Sequence, residues 1–159
     1  MGRWFQRRVQ TLWTGVLLCF SAGFVALGQI PPPVTNGWAL FSQVKYSQRF
    51  FKEYNESFLV PAFDARMRQY ENQEVLLKGH YMPLDLEEKN VIILSKFPYS
   101  ACFFCGGAGP ESVAEIHFRT KPPRFKTDQV LQVSGKLVLN TNDVNHMNFI
   151  LKDAELIIP

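Results

Sequence analysis

From Glu74 onwards, hydrophobic and polar residues alternate with a period of two. Val75, Leu77, Gly79 and Tyr81 share one face of a strand, and Leu76, Lys78, His80 and Met82 share the other. Val91-Ile92-Ile93-Leu94 is a second strand, short and apolar on both faces. Val113 to Arg119 is a third, with Glu115 and His117 on one side and Ala114, Ile116 and Phe118 on the other. Val130 to Asn140 alternates most strictly, through Leu131, Val133, Gly135, Leu137 and Leu139. A fifth strand is expected from His146 to about Leu156, after the polar turn Asn140-Thr141-Asn142-Asp143. Upstream, Trp38 to Phe51 alternates loosely and reads as one or two strands, with a turn at Asn55-Glu56-Ser57. Phe63, Met67 and Tyr70 are spaced by four and three, which predicts a short amphipathic helix within Pro61 to Gln73, with Pro61 in its first turn.

Five strands, two of them carrying a mid-strand glycine (Gly79, Gly135) where a small sheet must bend, predict a mainly β fold: a five-stranded OB-like barrel with one short helix before it. A small β-sandwich is the alternative. Many OB-folds carry a helix between their third and fourth strands, whereas Lys121-Pro122-Pro123-Arg124 forbids one of useful length here.

The first segment is of another kind. Arg3, Arg7 and Arg8 precede an uncharged stretch from Val9 to Ile30, and Ala26-Leu27-Gly28 offers small residues for cleavage. That is the pattern of a signal peptide over 1–28, or of a membrane anchor over residues 9–30 if it is not cleaved. Pro31-Pro32-Pro33 stiffens a spacer over 29–37, and 38–159 is the barrel domain. Either reading places the domain outside the cytoplasm, periplasmic or otherwise exported, with membrane contact only through the leader. The formal charge of +3 lies in those three arginines. Without them 14 basic residues face 14 acidic ones, so the working domain is neutral and a nucleic-acid partner is not expected. Arg119, Lys121, Arg124 and Lys126, with Phe118 and Phe125 interleaved, read as a solvated loop.

One stretch carries chemistry: Ser100-Ala101-Cys102-Phe103-Phe104-Cys105-Gly106-Gly107. Two thiolates at this spacing can bind one tetrahedral ion, with amides beyond the second cysteine turned toward the sulfurs, and zinc is the default. Half of a four-ligand site is missing, so His117, His80 or His146, or a carboxylate such as Glu111 or Glu115, must complete it. His117 is the first choice because its strand leaves the loop. Met82 and Met147 add thioethers suited to copper, or simply fill a core. The same cysteines are also the only pair in the mature chain, so a structural disulfide holding an interaction module that docks through Phe103 and Phe104 is an alternative. A thioredoxin-like redox dithiol is disfavoured because the glycines cannot continue a helix from Cys105. With no Gly-x-Ser-x-Gly and no phosphate-cradling loop, and with its acids scattered, the chain reads as non-enzymatic.

Gly79-His80-Tyr81-Met82-Pro83-Leu84, followed by Phe97-Pro98-Tyr99-Ser100-Ala101-Cys102-Phe103-Phe104-Cys105-Gly106-Gly107, resembles an uncharacterised family of small exported bacterial proteins. These are periplasmic or lipid-anchored OB-like domains. The resemblance spans Trp38 to Ile157 and is concentrated in the Pro-Tyr-x-x-Cys loop. Members of that family occur beside membrane transporter components, some linked with zinc handling. The resemblance therefore implies a metal-related accessory role and an envelope transporter component as partner. In those relatives the loop reads Cys-x-His followed by prolines, where Cys105 and the glycines stand here. A zinc site tolerates exchange of Cys for His, and a disulfide does not.

Overall fold

The computed structural model describes residues 33–157; the expected leader and the start of the proline spacer lie outside them. Among the described residues no helix is long and apolar enough to cross a membrane. The expected barrel is present. β3 (Glu74–Met82), β4 (Val91–Ser95), β5 (Val113–Phe118), β6 (Val130–Leu139) and β7 (Phe149–Leu156) close in the order β3-β4-β5-β7-β6. Among the barrel strands, β5 and β7 are the pair that runs parallel. Strand direction and order are those of an OB-like barrel.

Inside, the alternation behaves as the pattern requires. Val75 and Leu77 of β3, Ile92 and Leu94 of β4, Ala114, Ile116 and Phe118 of β5, and Leu131, Val133 and Leu137 of β6 join one buried core. The two glycines sit where the wall turns. A side chain at Gly79 would strike the Ser95 carbonyl, at the point where β3 passes from β6 to β4. Gly135 faces Leu151 and Ala154 across a bulge of β7, with Asp153 at φ 52.

The segment before the barrel differs from the expectation in its boundaries. Trp38 to Phe41 is not strand. It belongs to α1 (Gly37–Phe41), capped by Asn36, whose side chain accepts from the Ala39 N–H. The tertiary core explains this: Phe41 is fully buried and stacks on Phe149 with ring centroids 3.9 Å apart, and Trp38 donates to the Lys78 carbonyl at 2.9 Å. β1 (Lys45–Phe51) and β2 (Glu56–Ala62) form a separate antiparallel hairpin. Pairing with Lys45 keeps the chain extended through Ala62, so the expected helix over 61–73 shrinks to α2 (Ala65–Arg68), capped by Asp64. Its apolar face is the expected one, since Phe63 and Met67 are buried and Tyr70 packs on the core.

β4 explains a feature that alternation alone left open. Ile92 and Leu94 point into the barrel, while Ile93 points out and is still buried. Ile93, Met82, Val113 and Cys102 form a second, smaller core on the outer wall, joined by Leu84, Leu86, Phe103 and Met147. The loops 83–90 and 96–112 thus roof one side of the barrel.

Candidate metal centre

Glu115 stands on the outer face of β5, opposite Ile93. An acid there would ordinarily face water, yet its side chain is only 7% exposed. The connection between β6 and β7 covers it. The expected fifth strand begins at Phe149 and not at His146, so residues 140–148 are free to fold as a loop. Asn140 organises that loop. Its Oδ1 accepts from the Asn142 and Asp143 amides, its side-chain N–H groups reach the carbonyls of Asp143 and His146, and its backbone N–H reaches the Asn148 carbonyl at 2.9 Å.

The loop delivers two groups to the carboxylate. The Met147 N–H donates to Glu115 Oε2 at 3.0 Å, and His146 Nδ1 lies 2.9 Å from Oε1. His117, two residues along the same strand face, brings Nε2 to 2.6 Å from the same Oε1. The ligand atoms of all three side chains lie within 4.8 Å of one another. Two imidazole nitrogens and one carboxylate form a donor set that can hold a metal ion.

The electrostatics follow from these contacts. Burial pushes the Glu115 carboxyl up, but hydrogen bonds from His117, the Met147 amide and His146 outweigh it and bring it down to about 2. His146 is raised, first by its hydrogen bond to Glu115, against partial desolvation, and further by the charges of Glu115, Asp143 and Glu88. The His146 imidazole thus favours keeping a proton beside Glu115, at the place a cation would take. Beside Glu115 and His146 a cleft of about 450 Å³ opens to solvent, lined by Leu84, Leu86, Glu87, Glu88 and Met147 among others.

The other residues singled out from the sequence lie elsewhere. His80 sits on the outer face of β3, with Nδ1 3.3 Å from the Asp128 carbonyl oxygen. β6 lies between β3 and β7 in the barrel, so His80 does not meet His146. Cys102 is fully buried in the outer core and Cys105 is exposed; both are free thiols with sulfurs 4.0 Å apart. Among the described residues no third histidine, cysteine or acid joins them in a ligand cluster. Nor do the amides turn to sulfur: the Cys105 and Gly107 N–H groups donate to the Cys102 carbonyl, and the Gly106 N–H to the Phe103 carbonyl. Met82 and Met147 pack in the outer core, and Phe125 packs against Tyr81 and Phe118 at the barrel wall.

Of the three clustered residues, Glu115 was the least conspicuous in sequence. Its signal is a carboxylate and an imidazole two apart on a strand, sharing one face. No family model, curated protein or solved structure matches the chain.

Proposed function

We propose that this chain is an exported, non-enzymatic OB-like module that holds one transition-metal ion at Glu115, His117 and His146, as an accessory to an envelope transport system. One observation carries the metal reading: a buried carboxylate oxygen with imidazole nitrogens from two separate segments converging on it. Zinc suits the donor set, since nitrogen and carboxylate oxygen are among its ordinary ligands and three protein ligands leave a position open. The neighbouring cleft gives that position access to solvent or to a ligand group from a partner. Export rests on the basic, then apolar, leader, and the transport role on the family resemblance of the Pro-Tyr-x-x-Cys loop.

The test is metal content and zinc affinity of the full chain purified without chelators. One zinc per chain is expected, abolished by Glu115→Gln and by His146→Ala and retained by Cys102→Ala. Zinc retained by both cluster variants, or none bound by the wild type, overturns the site.

A further inference from the structure

The cysteine pair is left unused by that site, and its geometry has a use of its own. Cys102 is extended (φ −80, ψ 171), and the chain then makes a single 3₁₀ turn over Phe103–Cys105. Side chains three apart eclipse on such a turn, which is why the sulfurs stack 4.0 Å apart. The neck of the loop is tight: Gly107 donates to the Cys102 carbonyl, and a side chain there would press on the Ala101 backbone at about 2.8 Å. The tip is free, because Gly106, at φ 75, has nothing within 4 Å of where a side chain would be. Cys102 is anchored among Met82, Ile93 and Val113. Cys105 is exposed and can move toward it by the roughly 2 Å that a sulfur–sulfur bond requires.

We propose that Cys102 and Cys105 are a thiol–disulfide exchange site, reversibly oxidised by a disulfide-bearing partner, with Cys105 as the entry thiol and Cys102 as the resolving thiol. In the first step the Cys105 thiolate attacks one sulfur of the partner's disulfide. A mixed disulfide forms and one thiolate of the partner leaves. In the second, the Cys102 thiolate attacks the Cys105 sulfur, the intramolecular disulfide forms, and the second partner thiolate departs. Two protein thiols are oxidised, one disulfide is reduced to two thiols, and the two protons released from the cysteines go to the leaving thiolates. Unequal burial assigns the order, since an incoming disulfide reaches Cys105 and not Cys102. The Cys105 thiol is held above its ordinary value by desolvation and by its contact with Cys102, so the pair accepts oxidation slowly and is not a fast oxidant of other proteins. The closed loop is short and removes few unfolded conformations, so the bond is readily reduced again.

The experiment uses the full chain carrying Cys19→Ser, with chelator present, equilibrated in mixtures of reduced and oxidised glutathione, quenched with acid, alkylated and weighed. A single two-electron transition from two alkylated cysteines to none is expected. Cys102→Ala, which keeps the buried position apolar, should trap one glutathione on Cys105. Cys105→Ser should be modified at Cys102 at least about tenfold more slowly, as its burial demands. Two free thiols in the most oxidising mixture, or equal rates in the two variants, overturn the proposal. So does protection of both thiols by one equivalent of zinc in the Glu115→Gln chain when the chelator is omitted, which would make the pair a metal site.

Discussion

His146 Nδ1 lies 2.9 Å from Oε1 of Glu115, although 31 residues separate them in the chain. The contact joins a strand of the barrel wall to the loop between β6 and β7, and it makes a buried acid one of three converging donors. Met147, the next residue, fixes the second carboxylate oxygen with its backbone N–H. The loop is therefore positioned by the same carboxylate that it helps to bury, and changes at Glu115 should register both in stability and in the titration of His146.

Replacing Glu115 by Ala leaves the Met147 amide and two imidazoles without their acceptor. A loss of about 3 kcal/mol is expected, near the low end for breaking a buried pair because His146 keeps access to water. Urea unfolding measures it. Glu115→Gln keeps an acceptor for Met147 and should cost less, while the His146 ring resonances titrate closer to the ordinary histidine value. Unchanged titration of His146 in that variant would sink the assigned contact.

The pH dependence of the metal-free protein has two arms. Glu115 titrates below its ordinary 4.5, at about 2, so its contribution is present above 4.5 and is lost as pH falls toward 2. His146 titrates above its ordinary 6.5, so its contribution is present below 6.5 and is lost as pH rises through the raised value. The groups facing His146 are Glu115, Asp143 and Glu88, all acidic, with His117 beside it across Glu115. Melting temperature with chelator present should therefore peak between these limits and fall on either side. Zinc affinity should instead rise with pH as His146 loses its proton. A profile unaltered by His146→Ala would contradict the alkaline arm.

Gly79 and Gly135 should respond unequally to alanine. At Gly79 the added methyl meets the Ser95 backbone carbonyl, which cannot move without disturbing the β3–β4 pairing. A cost of about 2–3 kcal/mol is expected there, in the range of overpacking. At Gly135 the Lys152 carbonyl oxygen lies at 3.0 Å and the Leu151 and Ala154 side chains at 3.1 Å, which a shift of a few tenths of an ångström relieves, and about 1 kcal/mol should suffice. Thermal unfolding of the two variants ranks them; the reverse order would mean that the barrel closes elsewhere.

Phe41 and Phe149 tie the pre-barrel helix to the last strand. Each is fully buried, and their rings stack nearly parallel at 6°. Phe41→Ala and Phe149→Ala should each cost about 3–5 kcal/mol. A double-mutant cycle should give a coupling of about 1 kcal/mol. Additive losses would show that helix and barrel are held by other contacts.

Much of the barrel was legible in the chain because alternation is a local code. Strict period two in Val130–Leu139 and Glu74–Met82 states which side chains face inward, and mid-strand glycines mark where the wall bends. Even the pairing of Glu115 with His117 on one face follows from their spacing. The boundaries upstream were less legible. Trp38 to Phe41 carries no helical period long enough to read, and the α1 turn is set by Phe41 finding Phe149 more than a hundred residues away.

The metal-ligand reading divides in the same way. Sequence by itself determined a mainly β barrel, its inner face, and a short set of chemically able residues: Cys102, Cys105, His80, His117 and His146. Only the tertiary structure decided which of them meet. Partnership depends on barrel order, which places β7 beside β5 and β6 between β7 and β3, and on a loop held by Asn140 that folds back over the outer wall. Alternation specifies the face a residue occupies. It carries no information about which distant loop will cover that face, and here the covering loop brings His146 to Glu115 and leaves the two thiols to each other.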